Sequence, residues 1–150
     1  MQGDKCTSKL RILIVDDDVV NRKLLQLMLN RLGYRSDIAT NGKEAIEALE
    51  IQPYDLIFMD LQMPVFDGIR TTLAIRENLT DKDQPYIIAI TAYADKFDRE
   101  TCENAGMNDY LTKPATLNDI REAIDSAQVR LKKKGLDLCN KNVIEDNAYR

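Results

Sequence analysis

The chain contains no histidine. Imidazole is thereby removed as general base, metal ligand and phosphoryl carrier, so any chemistry that needs one must borrow it from another molecule. Cysteine is scarce: Cys6, Cys102 and Cys139 are odd in number, widely spaced and without a CxxC pair, so neither a disulfide framework nor a zinc site is signalled. No stretch approaches the roughly 18 to 20 apolar residues of a membrane span, and the opening MQGDKCTSKLR lacks the apolar centre of a signal peptide. A cytoplasmic chain with no membrane contact is expected. Basic clusters are also thin. At a net charge of -4, Lys132-Lys133-Lys134 reads as the end of a helix with Gly135 just past it, and a nucleic-acid surface is not indicated.

What is present is a globular composition, 44% hydrophobic and 31% charged over 150 residues, enough for one domain with a real core. Apolar runs alternate with helical patterns at about the length of a βα unit. Strands are expected over 10–15 (LRILIV), 34–39, 56–60 (LIFMD), 85–91 (PYIIAIT) and 109–112, the second of them weaker and nearer an edge. Helices are expected over 19–32, from Asn41-Gly42 to before Pro53, from an Asp67 N-cap to about Leu79, over 95–105 before Gly106, and over about 116–132. The first carries a stripe of Leu24, Leu25, Met28 and Leu32, and the last Leu117, Ile120, Ile124, Ala127 and Leu131. Right-handed crossovers then predict an α/β fold, a flavodoxin-like doubly wound (βα)5 with a five-stranded parallel sheet in the order 2-1-3-4-5. The domain is expected to span 9–134, between polar tails at 1–8 and 135–150.

The strand ends carry the chemistry. Strand one ends in Asp16-Asp17-Asp18, strand three in Asp60, strand four in Thr91, and the turn after strand five holds Lys113-Pro114. Taken singly, each has a bland reading: Asp18 as an N-cap, Thr91 as a β-branched strand residue, Lys113 as a solvated side chain. The expected strand order makes neighbours of all four strands and gathers three or four carboxylates, a hydroxyl and an ammonium in one crevice. Two carboxylates about 4 Å apart repel by roughly 4 kcal/mol at an effective dielectric near 20, so a proton or a cation must enter. Oxygen-only donors favour a hard cation, and a site that leaves positions to water suits Mg²⁺. Mg²⁺ beside a lysine suits a phosphoryl group, with Asp60 as nucleophile, Lys113 neutralising charge and Thr91 donating a hydrogen bond.

The stretches VDDD (15–18), NR (21–22), ATNGKEAI (39–46), MDLQMPVFDG (59–68), ITAYA (90–94) and GMNDYLTKP (106–114) resemble the receiver domain of two-component response regulators, most of all receivers within hybrid histidine kinases. Phe66, where such sequences often have Met, is a small departure that leaves the chemistry untouched. The resemblance implies that Asp60 is the phosphoacceptor. It also implies that Asp17, Asp60 and the Gln62 main-chain carbonyl bind Mg²⁺ with Asp16 helping through water, and that Thr91 and Lys113 bind phosphoryl oxygens. It further implies a cis Lys113-Pro114 bond and a switch formed by Thr91 and Tyr110, changing the 95–132 face. Gln62 and Tyr93, each two positions after a key residue, are candidates to tune the lifetime of the phosphate.

The missing histidine then has a meaning: the phosphohistidine donor belongs to a histidine kinase or histidine phosphotransfer protein, or to a part of the parent chain absent here. The chain itself is expected to be a phosphoacceptor signalling module of a phosphorelay, not a turnover enzyme, either stand-alone or, as favoured here, a piece of a hybrid kinase. Two alternatives use the same residues. A haloacid-dehalogenase-like phosphatase would take Asp16 as nucleophile and Asp18 as acid/base; a pseudo-receiver would bind partners without phosphorylation.

Overall fold

The computed structural model describes residues 10–63, 67–92 and 96–133. Cys6, Phe66, Tyr93, Cys139, the Lys134-Gly135 step and both expected tails lie outside them. In chain order the elements are β1 (Ile12–Val15), α1 (Val19–Arg31), β2 (Ser36–Ala39), α2 (Gly42–Ile51), β3 (Leu56–Asp60), α3 (Gly68–Asn78), a 3-10 turn at Asp81–Asp83, β4 (Tyr86–Thr91), α4 (Lys96–Ala105), β5 (Asp109–Thr112) and α5 (Leu117–Lys133). The strands form one parallel sheet in the order β2-β1-β3-β4-β5, the expected doubly wound arrangement.

Strand periodicity divides the core into two halves. Ile12, Ile14, Leu56, Phe58, Ile88 and Ile90 face α1 and α5, where Leu25, Leu29, Ile120, Ile124 and Ala127 meet them. Leu13, Val15, Ile57, Met59, Ile87 and Ala89 face α2, α3 and α4, against Ala45, Ile75 and Cys102. β1, β3 and β4 are buried throughout, which is why their sequences read as continuous apolar runs. β2 has a partner on one side only and buries only Ala39 fully. Helix starts are fixed by Asp18, Asn41 and Asp67, whose side chains accept from main-chain N–H groups of the first turn. Gly33 and Gly106 follow α1 and α4 with φ of 94° and 105°, conformations other residues adopt at a cost.

Three details differ from the sequence reading. β2 begins at Ser36 rather than at 34, since Tyr34 N–H donates to Leu29 carbonyl in the turn that ends α1. β1 begins at Ile12, because Arg11 is exposed and spends its N–H on the Asp55 carboxylate; Leu10 is buried but stands outside the strand. The inward stripe of α1 is Leu25, Met28, Leu29 and Leu32, whereas Leu24 is 49% exposed. Residues 24 and 25 lie about 100° apart around a helix. The Asp18 cap sets a phase that turns Leu25 and Leu29 inward and leaves Val20, Leu24 and Leu27 on an outer stripe.

Candidate phosphoacceptor site

All the predicted strand-end residues arrive at one edge of the sheet because the register aligns them. Val15 lies opposite Met59, Asp60 opposite Ile90, and Thr91 opposite Thr112, so the residues that follow or end these strands converge. Asp60 and Asp16 are 3% and 6% exposed and Thr91 is 1% exposed, while Asp17 is open to solvent. One carboxylate oxygen from each of Asp16, Asp17 and Asp60 lies within 4.8 Å of the others. Lys113 Nζ donates to Asp60 Oδ1 at 3.1 Å and stands 3.6 Å from Asp16 Oδ2.

The backbone holds these groups in place. Asp16 Oδ1 accepts from Asp18 N–H at 2.9 Å, and Asp60 Oδ1 accepts from Gln62 N–H at 3.3 Å. Lys113 N–H donates to Thr91 carbonyl at 2.7 Å, and the Lys113-Pro114 bond is cis, as the family resemblance implied. Burial and the Asp16 charge push the Asp60 carboxyl above the ordinary carboxylate range, opposed by the charge and hydrogen bond of Lys113 and by Gln62 N–H. A buried acid so placed accommodates a cation, a proton or a covalently attached group better than it does a bare negative charge.

Asp18 is the strand-end acid that does not join the cluster. It caps α1 by accepting from Val20 N–H at 2.9 Å and is exposed, so the cluster numbers three carboxylates and the acid/base role of the phosphatase alternative has no support. Tyr110 is half-buried on β5, with the Arg99 guanidinium 5.5 Å from its ring centre. Gln62 is exposed beside Asp60.

Two supports for the site carry no local signature in the sequence. Arg22 Nη1 donates to Asp16 carbonyl at 2.9 Å, clamping the acidic turn from within α1. Beside the Asp67 cap, a Cβ on Gly68 would lie 2.5 Å from the Asp60 carbonyl oxygen and 3.0 Å from Met59 Cγ. Only a glycine lets α3 start so close to the end of β3.

The geometry meets its counterpart among known proteins. Residues 12–125 match the response regulator receiver domain family, and the chain belongs to it. The chain is therefore a phosphoacceptor signalling module, related to the receivers of hybrid histidine kinases. Hybrid signal transduction histidine kinase K of Dictyostelium discoideum is 36% identical over 139 residues, covering 89% of this chain and 11% of the kinase. Across three such kinases of that organism the chain spans only 6% to 11% of the relative's length.

The receiver domain of a Pseudomonas aeruginosa PAO1 sensor histidine kinase, solved with a magnesium ion coordinated in its active site cleft, superposes with a TM-score of 0.71 at 40% identity, covering 78% of this chain and 95% of that one. The receiver of the Saccharomyces cerevisiae response regulator Ssk1, co-crystallised with the histidine phosphotransfer protein Ypd1, gives 0.71 at 33% identity over 78% and 87% of the two chains. Among the described residues no helix is long and apolar enough to cross a membrane.

Proposed function

We propose that Asp60 accepts a phosphoryl group from a phosphohistidine donor, assisted by Mg²⁺. The observation that carries this is a buried carboxylate at a strand end, held at 3.1 Å by a lysine and bordered by two further acids. An Asp60 oxygen attacks phosphorus, the P–N bond to the donor imidazole breaks with its electron pair leaving on nitrogen, and an acyl phosphate forms. Lys113 and Thr91 bind the phosphoryl oxygens as charge gathers on them.

The donor set fits a divalent cation: three carboxylates and no nitrogen or sulfur ligand, with Asp17 open to water. Asp16, Asp17, Asp60 and the main-chain carbonyl of Gln62 are assigned to hold Mg²⁺, which when bound neutralises the acids and polarises the phosphoryl oxygens. The likeness to the magnesium-bound receiver supports this assignment.

A protein donor is supported by the likeness to the co-crystallised receiver and by the outer stripe of α1. Val20, Leu24 and Leu27 are 67%, 49% and 61% exposed, recur on one helical face, and begin two residues past Asp18. That donor is assigned as a histidine kinase or histidine phosphotransfer protein, met in the cytoplasm by a domain spanning about 9–134, itself a piece of a hybrid kinase. Thr91 and Tyr110 form the switch, since both lie on strands that border the crevice, and Gln62 and Tyr93 tune how long the phosphate lasts.

The test is intact-protein mass spectrometry after incubation with acetyl phosphate, with and without Mg²⁺. One phosphoryl gain that requires Mg²⁺ and disappears in Asp60→Asn is the expected result. No adduct from acetyl phosphate or from a phosphohistidine protein would favour a pseudo-receiver, and an adduct that survives Asp60→Asn would overturn the assignment.

A further inference from the structure

A second concavity, a cleft of about 620 Å³, opens at the opposite end of the sheet, where β4 begins. Tyr86 and Thr91 are the two ends of that strand, about 17 Å apart at the usual rise, so the cleft is separate from the acidic crevice.

Its wall contains a cation without an acid. Arg76, on α3, spends all its N–H groups on neutral acceptors: Nε and Nη2 on Gly106 carbonyl, Nη1 on Pro85 carbonyl and Gln84 Oε1, and Nη2 again on Asn108 Oδ1, at 2.6 to 2.9 Å. Burial and the neighbouring Arg130 lower its pKa to about 10, which leaves it charged at neutral pH. Arg76 therefore supplies positive potential but has no hydrogen left to give.

Two other groups do. Tyr86 is 7% exposed and lines the cleft, and its hydroxyl has no hydrogen bond to any described residue and is not among the buried polar atoms, so it is open to a ligand. Burial raises its pKa, so it remains an O–H donor. Arg130, exposed on α5, lines the same cleft, and no carboxylate among the described residues pairs with it. Asp81 is the acid among the lining residues; Asp109 is near Tyr86 but outside the lining, and its carboxylate accepts from Tyr110 N–H.

Of the charged side chains that line the cleft, Arg76 and Arg130 stand against Asp81 alone, a net of one positive charge that favours a single negative charge over a polyanion. Pro85 and Leu131 add apolar wall, and the volume is in the range of small-molecule sites. We propose that this cleft binds a small organic monocarboxylate, its oxygens accepting from the Tyr86 hydroxyl and the Arg130 guanidinium and its apolar body lying against Pro85 and Leu131. The site is independent of phosphorylation at Asp60.

The experiment is an amide NMR titration of the full chain in metal-free buffer with sodium benzoate, with sodium chloride at matched ionic strength and inorganic phosphate as comparison arms. The expected result is a saturable set of shifts at Tyr86, Gly106, Asn108 and residues 127–131, with an apparent Kd of roughly millimolar order. Arg130→Gln weakens it about tenfold and Tyr86→Phe about threefold to tenfold, while Asp60→Asn leaves it unchanged. Both cleft variants keep the packing surface of the residue they replace, so loss of fold is not expected, and the amide spectrum reports it directly. Shifts equal to those in chloride, equal affinity in Arg130→Gln, tighter binding of phosphate than of benzoate, or shifts centred on Asp60 would each overturn the proposal.

Discussion

Replacing Asp60 by asparagine should make the metal-free protein more stable at neutral pH. Ionised Asp60 gains roughly 5 kcal/mol from Lys113 at 3.1 Å for an effective dielectric near 20. Against this stand Asp16 and Asp17, with oxygens no farther than 4.8 Å away, each repelling by at least roughly 3.5 kcal/mol on the same scale. Asp17 is exposed and the Lys113 side chain is 25% exposed, so solvent screens part of both effects, but burial of Asp60 adds a desolvation cost in the same direction as the repulsion. A neutral amide of the same shape escapes both, for a gain of about 2 kcal/mol at pH 7, or about 5 to 10 °C in Tm for a domain of this size.

The dependence on pH gives the sharper test. Because the folded-state pKa of Asp60 is raised, its favourable contribution is complete below the ordinary carboxylate pKa and is lost as pH rises through the folded value. The gap between variant and wild type should therefore open with rising pH and close towards pH 3, and added Mg²⁺ should narrow it at neutral pH. Urea denaturation of both proteins from pH 3 to 8, with and without Mg²⁺, reads all three. A variant less stable than wild type at pH 7 without metal, or a gap that ignores pH, would refute the reasoning.

Lys113→Met leaves two buried acids without their cation and should cost about 3 kcal/mol at pH 7, less in acid, by the same denaturation assay. Gly68→Ala forces a methyl against the Asp60 carbonyl, a main-chain group that cannot move aside; about 1 to 3 kcal/mol of stability should be lost and phosphorylation from acetyl phosphate slowed, measured by denaturation and mass spectrometry. Arg76→Leu strands carbonyls at Pro85 and Gly106 and should cost about 3 to 5 kcal/mol in urea without altering the ability of the remaining folded protein to be phosphorylated. Leu24→Asp with Leu27→Asp should leave folding and acetyl phosphate labelling intact but slow transfer from a phosphohistidine protein at least tenfold; equal transfer rates would remove α1 from the docking surface.

How much could be read in advance follows from the range of the interactions. β1, β3 and β4 are buried throughout because both faces of each are covered, so their apolar runs are written locally, and each delivers its polar residue at its carboxyl end. Asp16, Asp60, Thr91 and Lys113 were legible for that reason: the strand order follows from crossover handedness, and the order alone makes them neighbours. The phase of α1 was less legible, since leucines at 24, 25, 27 and 29 offer more than one apolar stripe and the choice depends on where the Asp18 cap starts the helix.

Arg76 was beyond reach by local reading. Its partners Gly106 and Asn108 lie 30 and 32 residues away, and three of its five hydrogen bonds go to main-chain carbonyls, which carry no side-chain signature. That asymmetry has a physical root. A site for a charged group built from acids announces itself in the sequence, whereas a cation held by backbone dipoles resembles any helix-surface arginine. Yet Arg76 ties the end of α3 to the turns that launch β4 and β5, the strands that end in Thr91 and contain Tyr110. Its five bonds fix where those strands begin, at the end of the sheet away from the acids, which is why its loss is expected to lower stability and leave the chemistry of the acidic edge intact.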